Sequence, residues 1–179
     1  MTIEIVQGCL LEAFEKGEVN VIVQCVNCQG VMGSGLAKAI RGKYPFVYDE
    51  YRKLYDEGKD SYYGLLGMIQ NINISYYDYE HGTNWNGDEV WPEKRIVNMF
   101  GQEYYGTDKR QVNYGALGQA FTALAYGLTQ ASEDALQEDC DVIGFPYLFG
   151  CGLAGGDWNI VLEMIEFHFR KFNVRIYKL

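Results

Sequence analysis

Nowhere in these 179 residues is there a run of roughly 18 apolar side chains, the length a membrane-spanning helix needs, so such a helix is excluded. Basic clusters are missing too. Lys and Arg total 15 against 24 Asp and Glu, a net charge of −9, and none gather into a patch. That argues against any extended grip on nucleic-acid phosphates. Histidine occurs only twice, at His81 and His168, and no second CxxC accompanies Cys25-Val-Asn-Cys28. No zinc set assembles from such residues, and neither a metal nor a cofactor is expected. The five cysteines (Cys9, Cys25, Cys28, Cys140, Cys151) are odd in number and scattered, so free thiols are expected. The opening MTIEIVQG is neither basic nor a cleavable apolar leader, and a cytoplasmic location follows as the expectation. Proline is scarce at 3, and repeats and low-complexity linkers are absent. One domain over residues 1–179 is expected, a length that buries about 70% of the unfolded chain's surface.

What is present centres on Val21 to Arg41, VIVQCVNCQGVMGSGLAKAIR. Val21, Ile22 and Val23 form a short β-branched run that reads as a strand. Asn27 and Gln29 lead into Gly30-Val31-Met32-Gly33-Ser34-Gly35, and Leu36, Ala37 and Ile40 then fall at helical spacing. A strand, a glycine loop and a helix N-terminus gather unpaired backbone N–H groups and the positive end of a helix dipole. Such a junction favours an anion, phosphate above all.

The rest of the chain alternates strands and helices. Thr2 to Gln7 reads as a first strand, a short helical piece ends near Lys16-Gly17, and Val19 to Cys25 is a buried second strand. Pro45 starts a helix with Val47, Tyr51 and Leu54 on its inner face and Gly58 as its stop. Leu65 to Ile74 has a period near two and reads as a strand. Residues 75–94, with the Asn86-Gly87 turn signal, read as an excursion beside the sheet, a β-ribbon being one form it can take. Arg95 to Phe100 is the next strand. Tyr114, Leu117, Phe121, Leu124 and Leu128 mark one stripe of a long helix. Asp141 to Phe145 is a strand followed by a second glycine loop, Phe149 to Gly156, and a helix carrying Trp158, Val161, Leu162, Ile165 and Phe169. Val174 to Tyr177 closes the chain as a strand. The alternation specifies an α/β domain of three layers, with any ligand beyond the carboxyl ends of the strands, where both glycine loops fall.

The first loop is not a Walker A motif, because no Gly-Lys-Ser/Thr follows, and Lys38 spoils a dinucleotide fingerprint. Two such loops suit a pyrophosphate, one for each phosphate. Here the residues resemble a known family. Val26 to Ala37 looks like the first ligand loop of macrodomains, and Gly150-Cys-Gly-Leu-Ala-Gly-Gly-Asp-Trp158 looks like their second. The order of elements matches along essentially the whole chain. Within the family the chain looks most similar to the branch of ADP-ribose 1''-phosphate phosphatases and terminal ADP-ribose glycohydrolases. The resemblance implies a three-layer α/β/α fold with a central mixed, mostly parallel sheet, and a cleft for ADP-ribose. It places Gly30, Gly33, Ser34 and Gly35 by one phosphate and the distal ribose, and Leu148, Phe149, Gly150, Cys151, Gly152 and Leu153 around the other phosphate. Asn27 matches the asparagine that bonds the distal ribose hydroxyls, with Gln29 nearby, while Cys9 and Leu10 fall where the family reads adenine.

Four positions depart from the family's pattern. Cys9 replaces an acidic residue, Gln102 a lysine, Ala154 an aspartate and Gln24 a histidine. A lysine-dependent glycohydrolase is thereby disfavoured. Asp157 is the one carboxylate beside the second loop and reads first as a helix cap, secondarily as a group that orients water. Gln102 can position water but takes no proton at neutral pH. Cys151 has the place of a nucleophile but reads as a packed loop residue, His168 as structural, and Tyr104 and Tyr105 as candidates to gate the distal ribose. The expected function is binding of ADP-ribose with hydrolysis of its 1''-phosphate, Asn27 and Asp157 being the candidate catalytic residues. The alternatives are a non-catalytic ADP-ribose reader and a mono-ADP-ribosyl glycohydrolase acting on protein or DNA. The expected partner is that small ligand, without extended nucleic acid or membrane.

Overall fold

The computed structural model describes residues 3–56, 64–74, 94–135 and 141–179. Six strands form from the apolar and β-branched runs: β1 (Ile3–Gln7), β2 (Val21–Asn27), β3 (Ile69–Asn73), β4 (Arg95–Gln102), β5 (Val142–Pro146) and β6 (Asn173–Lys178). The helices among the described residues are α1 (Leu10–Glu15), α2 (Gly35–Lys43), α3 (Pro45–Asp56), α4 (Tyr114–Ala135) and α5 (Trp158–His168). One sheet takes the strands in the order β1-β6-β5-β2-β4-β3. Every neighbouring pair is parallel except β3 with β4.

Alternation along the strands builds the two outer layers. Val21 and Val23 of β2, Val97 and Met99 of β4, and Ile143 and Phe145 of β5 share one core with Leu117, Phe121 and Leu124 of α4 and Val161 and Ile165 of α5. On the other face, Ile22 and Ile96 meet Phe14 of α1, Ile40 of α2 and Val47 of α3. Nearer the carboxyl ends, Val26 and Phe100 pack with Tyr51 of α3. This is the mixed, mostly parallel three-layer α/β/α arrangement. At the opposite ends of the strands, Asp141 accepts from Asn20 at 2.5 Å and pairs with Arg95, tying together the starts of β2, β4 and β5. The carboxyl ends are left to loops.

Some boundaries shift from expectation. β2 runs on to Asn27 because its pairing with β4 continues past a register shift between Val26 and Asn27, which matches Asn27 with Gln102. The bulge sits at the sheet's rim, where such irregularities re-aim side chains. Gly101 lies within it, and a Cβ there would stand 2.5 Å from Leu117 Cδ2 and 2.7 Å from Cys25 Sγ. Leu65 to Ile74 shortens to β3, since Gly67 takes φ +89° ahead of it and Met68 is exposed. The expected excursion at 75–94 lies, apart from Lys94, outside the described residues, as do Thr2 and Gly58.

Phe121 is the hub of the core beneath the second glycine loop. Its ring meets Phe145, Phe149, His168 and Phe169 at centroid distances of 5.4 to 5.9 Å. Phe121→Ala is expected to cost about 3–5 kcal/mol, read from urea denaturation midpoints. A loss below about 1 kcal/mol would mean that the surroundings collapse into the gap.

Candidate ligand-binding site

The first glycine loop is shaped by Asn27. Its side-chain oxygen accepts from the N–H groups of Gln29 (2.9 Å) and Val31 (3.2 Å) and from the Tyr51 hydroxyl (3.1 Å). Its amide nitrogen donates to the Val31 carbonyl at 2.7 Å, and Tyr51 also donates to the Asn27 carbonyl. Burial raises the Tyr51 phenol well above its ordinary value, so it stays a proton donor. Asn27, 6% exposed, is thus first a brace for the loop, and it lines a cavity as well.

That cavity measures about 490 Å³ and lies between the two glycine loops. Gly33, Ser34 and Gly35 form one wall; Leu148, Phe149, Gly150, Gly152 and Leu153 form another. The N–H groups of Gly33, Ser34 and Gly35, and those of Phe149, Gly150 and Gly152, donate to no other backbone group among the described residues. Ser34 is the N-cap of α2 and makes no side-chain capping bond. The unpaired donors at the start of α2 and its positive dipole end therefore meet those of the second loop across one space. Glycine keeps this space open, because a Cβ on Gly35 or Gly152 would meet nothing within 4 Å.

A third wall comes from the segment after β4: Gln102, Tyr105, Gly106 and Thr107. It is fastened to the second loop, since the Ala154 carbonyl accepts from the N–H groups of Gln111 (2.9 Å) and Val112 (3.1 Å). Gln102 donates to the Tyr104 carbonyl at 3.0 Å, and Tyr105 is 59% exposed at the mouth. Tyr104 does not line the cavity. Leu36, Ala37, Pro146, Tyr147 and Gln24 complete much of the lining, and sequence reasoning did not select them as binding residues. For Pro146 and Tyr147 the end of β5, and for Leu36 and Ala37 the first turn of α2, was the available signal.

Several residues singled out from the sequence stand elsewhere. Cys9 precedes α1 without capping it, and Leu10 is buried with its Cδ1 where a Cβ on Gly144 would fall. Gln29 turns away from the cavity to donate to the Glu103 carbonyl at 3.1 Å. Gly30 has φ +72° and backs onto Arg52, whose Nη1 would lie 2.3 Å from an added Cβ. Asp157 caps α5 by accepting from the Asn159 N–H at 2.9 Å. None of these five, nor Cys151, lines the cavity. Phe149 does, yet its ring belongs to the core against Phe121 and Phe145.

Among the described residues, the lining holds no Asp, Glu, His, Lys or Arg. The thiols nearby are weak nucleophiles. Burial pushes Cys25 up to about 12 and Cys28 up to about 11, and burial followed by the negative charge of Asp157 pushes Cys151 up to about 11. A thiolate, the reactive form, is scarce at neutral pH.

No protein-family model matches the chain, and no curated protein matches it. Solved structures do. A Bacteroides thetaiotaomicron protein of unknown function is similar over 100% of this chain and 99% of its own, with TM-score 0.74 and 24% identity. The macrodomain of Mycobacterium tuberculosis DarG gives a TM-score of 0.70 at 19% identity, covering 99% of this chain and 98% of its own. Thermosipho africanus DarTG, solved in complex with ADP-ribose, gives 0.67 at 16%, covering 97% of this chain and 41% of its own. The chain has the macrodomain fold. In this macrodomain fold the two glycine loops face one cavity at the carboxyl edge of the sheet, lined, among the described residues, by backbone and uncharged side chains.

The thiol environments give a pH dependence with a definite sign. Cys25 and Cys151 ionise near 9.0 when unfolded but near 12 and 11 when folded. Below pH 9 they therefore leave folding stability unchanged, and above it the unfolded chain loses protons first and stability falls. Melting temperatures recorded from pH 8 to 11 should decline less for Cys25→Ser than for the parent. Equal slopes would show that Cys25 is not held protonated.

Proposed function

We propose that the cavity binds ADP-ribose, holding its diphosphate through peptide N–H groups of both glycine loops. The observation that carries this reading is the convergence of unpaired donors from Gly33–Gly35 and from Phe149, Gly150 and Gly152 on a single uncharged space. Donors fixed by the fold need no cationic side chain to hold a phosphate. The volume of about 490 Å³ suits a small ligand, and the ADP-ribose held by the structurally similar Thermosipho protein supports the choice. Extended nucleic acid fits poorly with a net charge of −9.

The enzymatic form of this reading is removal of phosphate from ADP-ribose 1''-phosphate. The uncapping Ser34 hydroxyl at the α2 N-terminus favours it, because amides and a helix dipole aimed at a phosphoryl group stabilise charge that develops as water attacks. No side chain on the described lining is suited to accept the proton. Catalysis would rest on orientation, with Asn27 bracing the loop and Asp157 acting no closer than through the α5 cap. The described lining also holds none of the charged groups that release of ADP-ribose from modified protein or DNA would use, and with no proton acceptor there for either hydrolysis, binding without turnover, a reader, is the reading this lining supports best.

Calorimetry with ADP-ribose tests the binding. Gly152→Val places its side chain in open space, so folding should be unaffected while affinity drops at least about tenfold. Unchanged affinity would show that the loops do not grip the ligand. Incubation with ADP-ribose 1''-phosphate and measurement of free phosphate then separates the enzyme from the reader. Phosphate released no faster than without protein leaves the reader alone, and steady turnover establishes the phosphatase.

A further inference from the structure

The outward face of the α4–α5 layer carries large apolar side chains in the open. Phe167 of α5 is 64% exposed, Tyr126 of α4 67% and Ile160 of α5 42%. The two helices lie side by side beneath them. A Cβ on Gly118 would stand 3.6 Å from Met164 Cε, and Thr122 Oγ1 lies 3.4 Å from His168 Nδ1. Tyr126 follows Thr122 by one turn, and the Phe167 ring sits 5.1 Å from the His168 imidazole, so the exposed rings share one surface. None of these side chains lines the cavity.

A single exposed apolar residue is ordinary, whereas a contiguous patch marks a contact surface. The charges around this one indicate what it contacts. Glu163 and Glu166 precede Phe167, Arg170 and Lys171 follow it, and all four are exposed. None of them forms an ion pair among the described residues. Arg170 rests over the Phe167 ring, 5.1 Å from its centroid, and donates from Nη1 to the Phe167 carbonyl at 3.2 Å. Ile160, Glu163 and Phe167, spaced by three and four, form one stripe of α5. The midpoint between Glu163 and Arg170 falls at Phe167. A twofold axis through that ring would lay an antiparallel copy of α5 against the first, with Phe167 on Phe167 and each Glu163 opposite the other copy's Arg170. A parallel approach would set acid on acid. We propose that this face joins two copies of the chain in solution through such a self-complementary contact. Phe167, Tyr126 and Ile160 supply its apolar area, and the charges, worth little in affinity at an exposed rim, set direction and register. A second copy is singled out over an unrelated partner because one helix carries both signs of charge in the order the twofold requires.

Sedimentation velocity over rising protein concentration tests this. The unaltered chain should dimerise with a dissociation constant on the order of 10 μM, in keeping with a contact at the small end of specific interfaces. A monomer up to about 200 μM overturns the proposal. Phe167→Glu should weaken the dimer at least about tenfold, and an unchanged dimer would put the contact on another face and overturn it too. Glu163→Arg and Arg170→Glu each place like charges opposite one another twice in a homodimer, so each variant alone should also associate about tenfold more weakly. Mixed in equal amounts they regain two Arg–Glu pairs and should form a heterodimer within about twofold of the unaltered affinity. Altered folding of either variant would not produce that rescue, and its absence overturns the twofold arrangement. The readout is mass without ligand, so the result bears on the dimer and leaves ADP-ribose binding to its own test.

Discussion

The site depends on the way one asparagine ends a buried strand. Asn27 closes β2, and its side chain holds two N–H groups of the following turn while Tyr51 anchors both its amide and its carbonyl from α3. That brace, with the Gln29 side chain held on the Glu103 carbonyl, directs the chain from the sheet's rim to the start of α2. The brace joins three levels of structure: the pairing of β2 with β4, the packing of α3 by Tyr51, and the exposure of α2's first peptide groups. A residue with the appearance of ligand chemistry is first a structural fastener, and the ligand site follows from what it fastens.

A second dependence runs through the aromatic core. Phe149 stands inside the second loop, yet its ring is locked among Phe121 and Phe145. This fixes the backbone on either side of it, including Leu148, which takes φ 60° although it is not glycine. Such a conformation persists only where surrounding structure over-determines it. The loop is thus rigid at its root and exposes its peptide edge at its tip. Rigid donors suit a phosphate because little ordering is left for the ligand to cause.

Much of this was legible in the sequence because its signals are local. β-Branched runs gave the strands, the stripe from Tyr114 to Leu128 gave α4, and glycine spacing marked both loops at the correct end of the sheet. What was not legible arises from contacts distant in sequence. The turn of Gln29 toward Glu103 and the backing of Gly30 onto Arg52 each involve a partner more than a turn of chain away. The wall formed by Tyr105 to Thr107 has no motif of its own and exists because Gln111 and Val112 are hooked to Ala154. The side-chain hydrogen bonds from Gln24 to Asn98 and from Asn98 to Gln70 are invisible as a pattern, since the three become neighbours only through strand order.

The hook at Ala154 has a mechanical meaning. One carbonyl accepts two successive N–H groups from the segment beyond β4, so two sides of the cleft are riveted at a common point. Either side swinging outward alone breaks both of those hydrogen bonds. Widening the mouth on this side therefore means moving both walls in concert or shearing that rivet, which makes it a gauge more than a hinged door.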